Sequence, residues 1–474
     1  MTPPAPPDAP QHPPPAPIVP PAPIAPEDPP RARVDYSDGT FYLRSREDHV
    51  VMVVGGRAHL DVYAFAGEGI AAYERSNGTG LKPNFLFRRF VLEMGGIIRK
   101  KWFYWLGGNF APSGVDANQA PVHPGNVYDG FVGYLFRPNL RLYFGQYNAP
   151  FTMENVTSSR WLDLMERALT VRTLATPYNK ADGLMLWGET AHKHLEAQLG
   201  GFGGDGMNRP NIDARFDVMA RVLVRPLASR SDALQRFHVG GGLRHGRRDA
   251  DHVRYDAPNL STPGGYTFWT ARHGSGADET HVMPARRQMA FAGEAYLPFA
   301  RFDLRGEFVY LHEERREALA SARDVSVRGG ALEGFGSYAQ LGIWLAGTPR
   351  ISGHPAGTYG VLKVPNDIGA QAPYALQLVL RGEALRLSYR SNSRFGASQG
   401  RLDARTDAIE VNALQVALNY WATKHVRLTV QHSLYHFPGV PTTDNQALAP
   451  GAKSGSAPDA RALHEMSFRA GLAL

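Results

Sequence analysis

Four cations, Arg160, Arg167, Arg172 and Lys180, crowd the stretch that follows a strand-like run of Leu140, Leu142 and Phe144. The chain leaves that run through Gly145 and Pro150. A guanidinium is a planar fork that matches the oxygens of phosphate or carboxylate, and a lysine is a compact point charge. Arg57, Arg89 and Arg141 offer the same chemistry on strand-like segments. These residue types suit electrostatic capture of a small anion, with no bond made or broken. Glu154 and Glu166, in the same stretch, are placed to brace it. Each arginine could equally sit in an ion pair that fixes wall or loop geometry.

Other chemistries find less support. The His192/His194 and His432/His436 pairs have no third ligand at suitable spacing, so no metal is assigned. The glycine-rich GGFGGDG at 200–206 has no βαβ pattern around it and reads as a turn. Ser158 and Ser159 stand in no nucleophile-elbow context. The sequon at Asn155 carries no weight if the host is a bacterium. There is no cysteine, which removes disulfides, thiolate metal sites and a thiol nucleophile. No catalytic residue and no cofactor is assigned.

The elements that must hold these residues alternate with period two. Ala58, Leu60, Val62 and Ala64 interleave with Arg57, His59, Asp61 and Tyr63. Leu86, Phe90, Leu92 and Met94 share a face opposite Arg89 and Glu93, with Arg88 breaking the pattern. Leu385, Leu387 and Tyr389 oppose Arg386, and Val426, Leu428 and Val430 oppose Arg427. Tight joins are expected at 99–101, 137–139, 191–193, 298–300, 381–383 and 423–425. Long loops are expected at 66–84, 111–126, 148–181, 248–283, 314–331, 393–407 and 438–461. Short joins on one side and long loops on the other describe an all-β, transmembrane, antiparallel up-and-down β-barrel. Seventeen strands can be drawn, with an ambiguous one at 358–364, so sixteen or eighteen satisfy parity. The 464–474 segment reads as the closing strand.

Composition agrees. Fifty glycines and 11% aromatic residues suit turns and interfacial girdles, and no apolar run reaches about 18 residues. The net charge of +7 is scattered along strands, which argues against a nucleic-acid partner. Fifteen of the 36 prolines fall in the first thirty residues. Residues 1–34 are therefore expected to form a proline-rich, disordered segment and 50–474 the barrel. No signal peptide is evident, so a secretory signal is expected to be missing or already removed.

Three stretches resemble the phosphate-selective porins of Gram-negative outer membranes: FRRFVLEMGGIIRKKWFYWLGGNF at 87–110, YDGFVGYLFRPNLRLYFGQYNAPFTMEN at 128–155 and TSSRWLDLMERAL at 157–169. The resemblance implies an outer-membrane homotrimer whose third external loop, 148–181, folds into the lumen as a constriction. Arg57, Arg89, Arg141, Arg160, Arg167, Arg172 and Lys180 would then be pore-lining anion-binding candidates. Partners would be phosphate-like anions, outer-membrane lipid and lipopolysaccharide. Asn148 stands where the family carries a lysine, two residues before its proline. The alternatives are a general or cation-tolerant porin without a phosphate site, a structural or adhesive barrel, and a barrel enzyme such as a lipase.

Overall fold

Period-two alternation builds a wall with a polar inner and an apolar outer face. In β1 (Val50–Ala66), Arg57, His59, Asp61 and Tyr63 are buried, while Leu60 on the other face is exposed. The computed structural model describes all of the chain except residues 1–32, 38–39, 69, 71–80, 112–124, 176–178, 250–255, 258–259, 270, 274–275, 348–349, 353–360, 364–373, 393, 396–397, 400–404, 424, 438–461 and 474. The wall continues through β2 (Asn84–Ile98), β3 (Trp102–Asn109), β4 (Asn126–Arg137), β5 (Leu140–Asn148), β6 (Lys180–Glu189), β7 (Leu195–Phe202) and β8 (Asp217–Val224). It goes on through β9 (His238–Arg248), β10 (Thr280–Phe299), β11 (Phe302–Leu319), β12 (Ala322–Ala346) and β13 (Ala375–Asn392). The last three strands are β14 (Arg405–Trp421), β15 (Val426–His436) and β16 (Ala462–Ala473).

Each strand pairs antiparallel with the next. β16 closes the ring on β1, from His464 opposite Ala66 to Ala473 opposite Arg57. The result is a closed sixteen-stranded barrel, so the eighteen-strand option falls away. A hairpin of Arg33–Ser37 with Thr40–Arg44 pairs with β1 along 51–54, beyond the end of β16. Exposed Phe85, Phe87, Phe90, Leu92, Phe144, Leu184 and Leu199 make an apolar outer surface, as a lipid-facing wall requires. No helix among the described residues is long and apolar enough to cross a membrane.

Several expectations need correction. The join placed at 381–383 lies inside β13, and the loop placed at 314–331 is strand, with β11 and β12 meeting across 320–321. One cause explains both. A membrane crossing takes about 9–11 residues, yet β10–β14 run to 20, 18, 25, 18 and 17 residues. Their upper halves stand clear of the bilayer, where polarity inverts. In the lower half of β13, Gln377, Arg381 and Glu383 face inward; in the upper half Leu385, Leu387 and Tyr389 do, and Arg386 faces outward. The apolar set thus jumps from even to odd positions, which mimics a turn.

Within 358–364, only 361–363 is described as strand; it pairs with Arg350–Ser352 in a small hairpin outside the ring. That hairpin belongs to the 347–374 connection, a long one on the side expected to carry tight turns. Leu86 pairs with inward Asp61 and so faces inward, unlike Phe90.

Candidate functional site

The connection between β5 and β6 supplies the centre of the site. Gly145, at φ 129°, lies within β5, which stays paired with β6 to Asn148, and a Cβ there would collide with the backbone of Gly130. Two short helices follow, α1 (Met153–Val156) and α2 (Leu169–Leu174). The Thr152 side chain caps α1 by accepting from Asn155 N at 3.2 Å.

This segment is tied to inward residues on many strands. Arg381 of β13 donates to Glu154 at 2.9 Å, and the backbone N–H of Glu154 donates to Glu307 of β11. Leu169 N donates to Glu383 at 2.6 Å, Met165 N to Gln431 at 2.9 Å, and Asn419 to the Asp163 carbonyl at 2.7 Å. On the other side Arg160 donates to Glu93 of β2 at 2.5 Å. A loop bonded to β2, to β11 and to β13–β15 crosses the interior of the ring. Gly242 of β9 admits it, because a Cβ there would strike the Phe151 carbonyl.

A second segment also turns inward, within the stretch read as an external loop at 248–283. Glu465 of β16 accepts from Thr262 Oγ1 at 2.7 Å and from Gly264 N at 3.0 Å. Phe268 and Trp269 then pack with Leu169, Val171 and Leu174 against Val309, Leu387, Tyr389 and Val411. An apolar plug therefore fills the upper interior beside β9–β16.

The cations gather opposite that plug, and each carboxylate among them serves one to three cations. Glu93 holds Arg57 at 2.7 Å and Arg160 at 2.5 Å. Glu166 holds Arg89 through two bonds of 2.7 and 2.8 Å, Arg88 at 3.2 Å and Arg469 at 2.9 Å. Arg469 also pairs with Asp61 at 2.6 Å, and Lys180 with Asp129 at 2.5 Å. Arg57 and Lys180 both lie over the Tyr128 ring, at 4.7 and 4.2 Å. Arg167 donates to the carbonyls of Glu154, Asn155 and Thr157. Arg172 is half-buried, and its Nη1 has no hydrogen-bond partner among the described residues. Eight cations (57, 88, 89, 160, 167, 172, 180 and 469) thus outnumber the four carboxylates paired with them (61, 93, 129 and 166) together with Glu154 beside Arg167 and Glu465 beside Arg172, eight against six. Arg88 keeps 35% of its side chain exposed and Arg160 16%, whereas Arg57, Arg89 and Lys180 are buried behind them.

Burial alone would favour the neutral acid at Glu166. Arg88, Arg89 and Arg469 outweigh it and hold this carboxyl well below the usual range.

Six of the seven cations named from sequence share this neighbourhood. Arg141 does not: it donates to the Pro138 carbonyl at the tight-turn end and stacks 4.6 Å from the Trp187 ring. Sequence reasoning missed Arg88, Tyr128 and Arg469. Arg88 and Tyr128 are each the extra residue of a β-bulge, opposite His59/Leu60 and Gly107/Gly108. A bulge re-aims a side chain that strict alternation would send to lipid. Arg469 could have been found from the alternation of Met466, Phe468 and Ala470, which turns it inward. Asn148 lies directly across the ladder from Lys180, so both point to one face and a lysine amine stands beside the position that lacks one.

Residues 53–436 match the sequence profile of phosphate-selective porin O and P. The chain belongs to that family. It is an outer-membrane porin, a channel rather than an enzyme by class. No curated protein sequence matches it. Among solved structures it is similar to a loop-deletion variant of OmpT, an outer membrane protein of Vibrio cholerae, at 8% identity and a TM-score of 0.50, over 90% of this chain and 100% of that one. In-vitro folded OmpT of the same organism gives 9% identity and 0.48, over 90% and 98%. An anion-selective porin from Comamonas acidovorans gives 10% identity and 0.46, over 90% and 100%. At these identities the likeness is one of fold.

Proposed function

We propose that this porin passes small oxyanions of the phosphate type by passive diffusion, as a homotrimer, with residues 148–181 as its constriction. The observation that carries the reading is the surplus of cations over carboxylates around the inward loop. Ion pairing and anion attraction are usually rival roles for an arginine. Here both operate, since one acid holds two or three guanidiniums in place without cancelling them. Fixed positive potential between low-dielectric walls raises the local anion concentration and speeds entry.

Arg88, Arg160 and Arg172 retain solvent access and are the groups a passing anion would touch. Arg57, Arg89, Arg167 and Lys180 contribute field from behind them. Contact divided among several forks favours entry without trapping. No step in this transit makes or breaks a covalent bond. Block of chloride current by phosphate in planar bilayers tests the solute class: block at millimolar phosphate supports it, and equal current with and without phosphate leaves a general anion porin.

A further inference from the structure

Outward side chains of β9–β11 change character at one level of the wall. Leu243, Phe291 and Tyr310 form an exposed cross-strand row, with the Phe291 and Tyr310 rings stacked at 6.5 Å. The next outward row toward the long-loop end is His245, Met289 and His312. Above it Arg247 and Arg287 stand directly opposite one another, both exposed. Exposed Arg286, held at φ 52° in the adjoining bulge, adds a third guanidinium.

Like charges set directly opposite in a sheet repel. Among the described residues neither Arg247 nor Arg287 meets a carboxylate through its guanidinium. Arg287 Nη2 lies 3.4 Å from His312 Nε2. Glu314, the acid of the patch, accepts the Arg287 backbone N–H at 2.8 Å. Outward charges in the two rows below are matched, Arg386 with Glu410 at 2.9 Å in the row of Phe291 and Tyr310, and His312 with Glu333 at 3.2 Å in the next.

An aromatic row marks the edge of the hydrocarbon layer, so charges just above it lie at headgroup height. We propose that Arg247 and Arg287 clamp a phosphate group of lipid A, the anchor of outer-leaflet lipopolysaccharide, against the outer wall. Its acyl chains would lie along Leu243, Phe291 and Phe308. The fork geometry supplies bidentate donors for phosphate, and the anion relieves the repulsion of the pair. This surface faces away from the lumen and is independent of pore selectivity.

Native mass spectrometry of the detergent-solubilised full-length porin, titrated with bisphosphorylated lipid A, tests the proposal. Arg247→Ser with Arg287→Ser should weaken binding about tenfold or more. Dephosphorylated lipid A should bind the wild type as weakly as that variant binds the intact lipid. Millimolar inorganic phosphate should displace little of it, because lipid and clamp act together. Wild-type retention by the double variant, equal binding of the dephosphorylated lipid, or full displacement by inorganic phosphate would each overturn the proposal. An unchanged reversal potential confirms that the variant barrel is intact.

Discussion

Arg89 and Glu166 close a two-pronged ion pair, Nη1 to Oε1 at 2.7 Å and Nη2 to Oε2 at 2.8 Å, that joins β2 to the middle of the inward loop. Arg88 and Arg469 reach the same carboxylate. A single anion therefore positions three cations from three directions of approach: the bulge and strand of β2, and the closing strand β16. Its removal affects loop anchoring and pore charge together.

Glu166→Gln is expected to lower the unfolding temperature, because breaking a buried pair by deleting one partner costs about 3–5 kcal/mol. The same change should raise anion over cation permeability. Calorimetry and reversal potentials on one preparation check both effects.

Arg88→Gln, Arg160→Gln and Arg172→Gln should each reduce anion preference, with the triple variant close to unselective. Arg141→Gln should leave selectivity unchanged, since it lies at the tight-turn end. Its loss should cost the Trp187 stack, about 0.5–2 kcal/mol, and the bond to the Pro138 carbonyl, about 1.5–3 kcal/mol. A selectivity change from Arg141→Gln equal to that from Arg160→Gln would remove the distinction between them.

The depressed pKa of Glu166 has a defined sign. A carboxyl held below its unfolded value contributes stability that is present above the ordinary carboxylate range and lost as pH falls through the folded value. The difference in reversal potential between wild type and Glu166→Gln is therefore expected to persist as pH falls through the ordinary carboxylate range, to about pH 3. Convergence of the two proteins with a midpoint near pH 4.3 would show an ordinary carboxyl, whose usual pKa is about 4.3.

Gly242→Ala should push the Phe151 carbonyl away from β9, at an overpacking cost of about 1–3 kcal/mol. Charge is untouched and the loop shifts toward the open side of the lumen, so conductance should fall while the permeability ratio changes little. Single-channel recording separates the two quantities.

The barrel was legible because a bilayer forces alternation onto every crossing, and β15 follows it residue by residue, as β1 does from Arg57 to Tyr63. It became illegible where the wall left the bilayer: the even-to-odd jump between Leu380 and Leu385 read as a turn. The site was partly legible, since residue type marks a guanidinium wherever it stands. Arg88 and Tyr128 were lost because a bulge leaves no more trace in sequence than one broken alternation. The inward packing of Tyr266, Phe268 and Trp269 was lost because these aromatics meet side chains far away in sequence, and no local pattern records that contact.

The most direct measurement of the central claim is the zero-current potential of the wild-type channel in a potassium chloride gradient. A surplus of fixed cations around Glu93 and Glu166 predicts a potential of the sign set by chloride, shrinking toward zero in Arg88→Gln/Arg160→Gln/Arg172→Gln. A potential near zero or of the potassium sign in the wild type would contradict it.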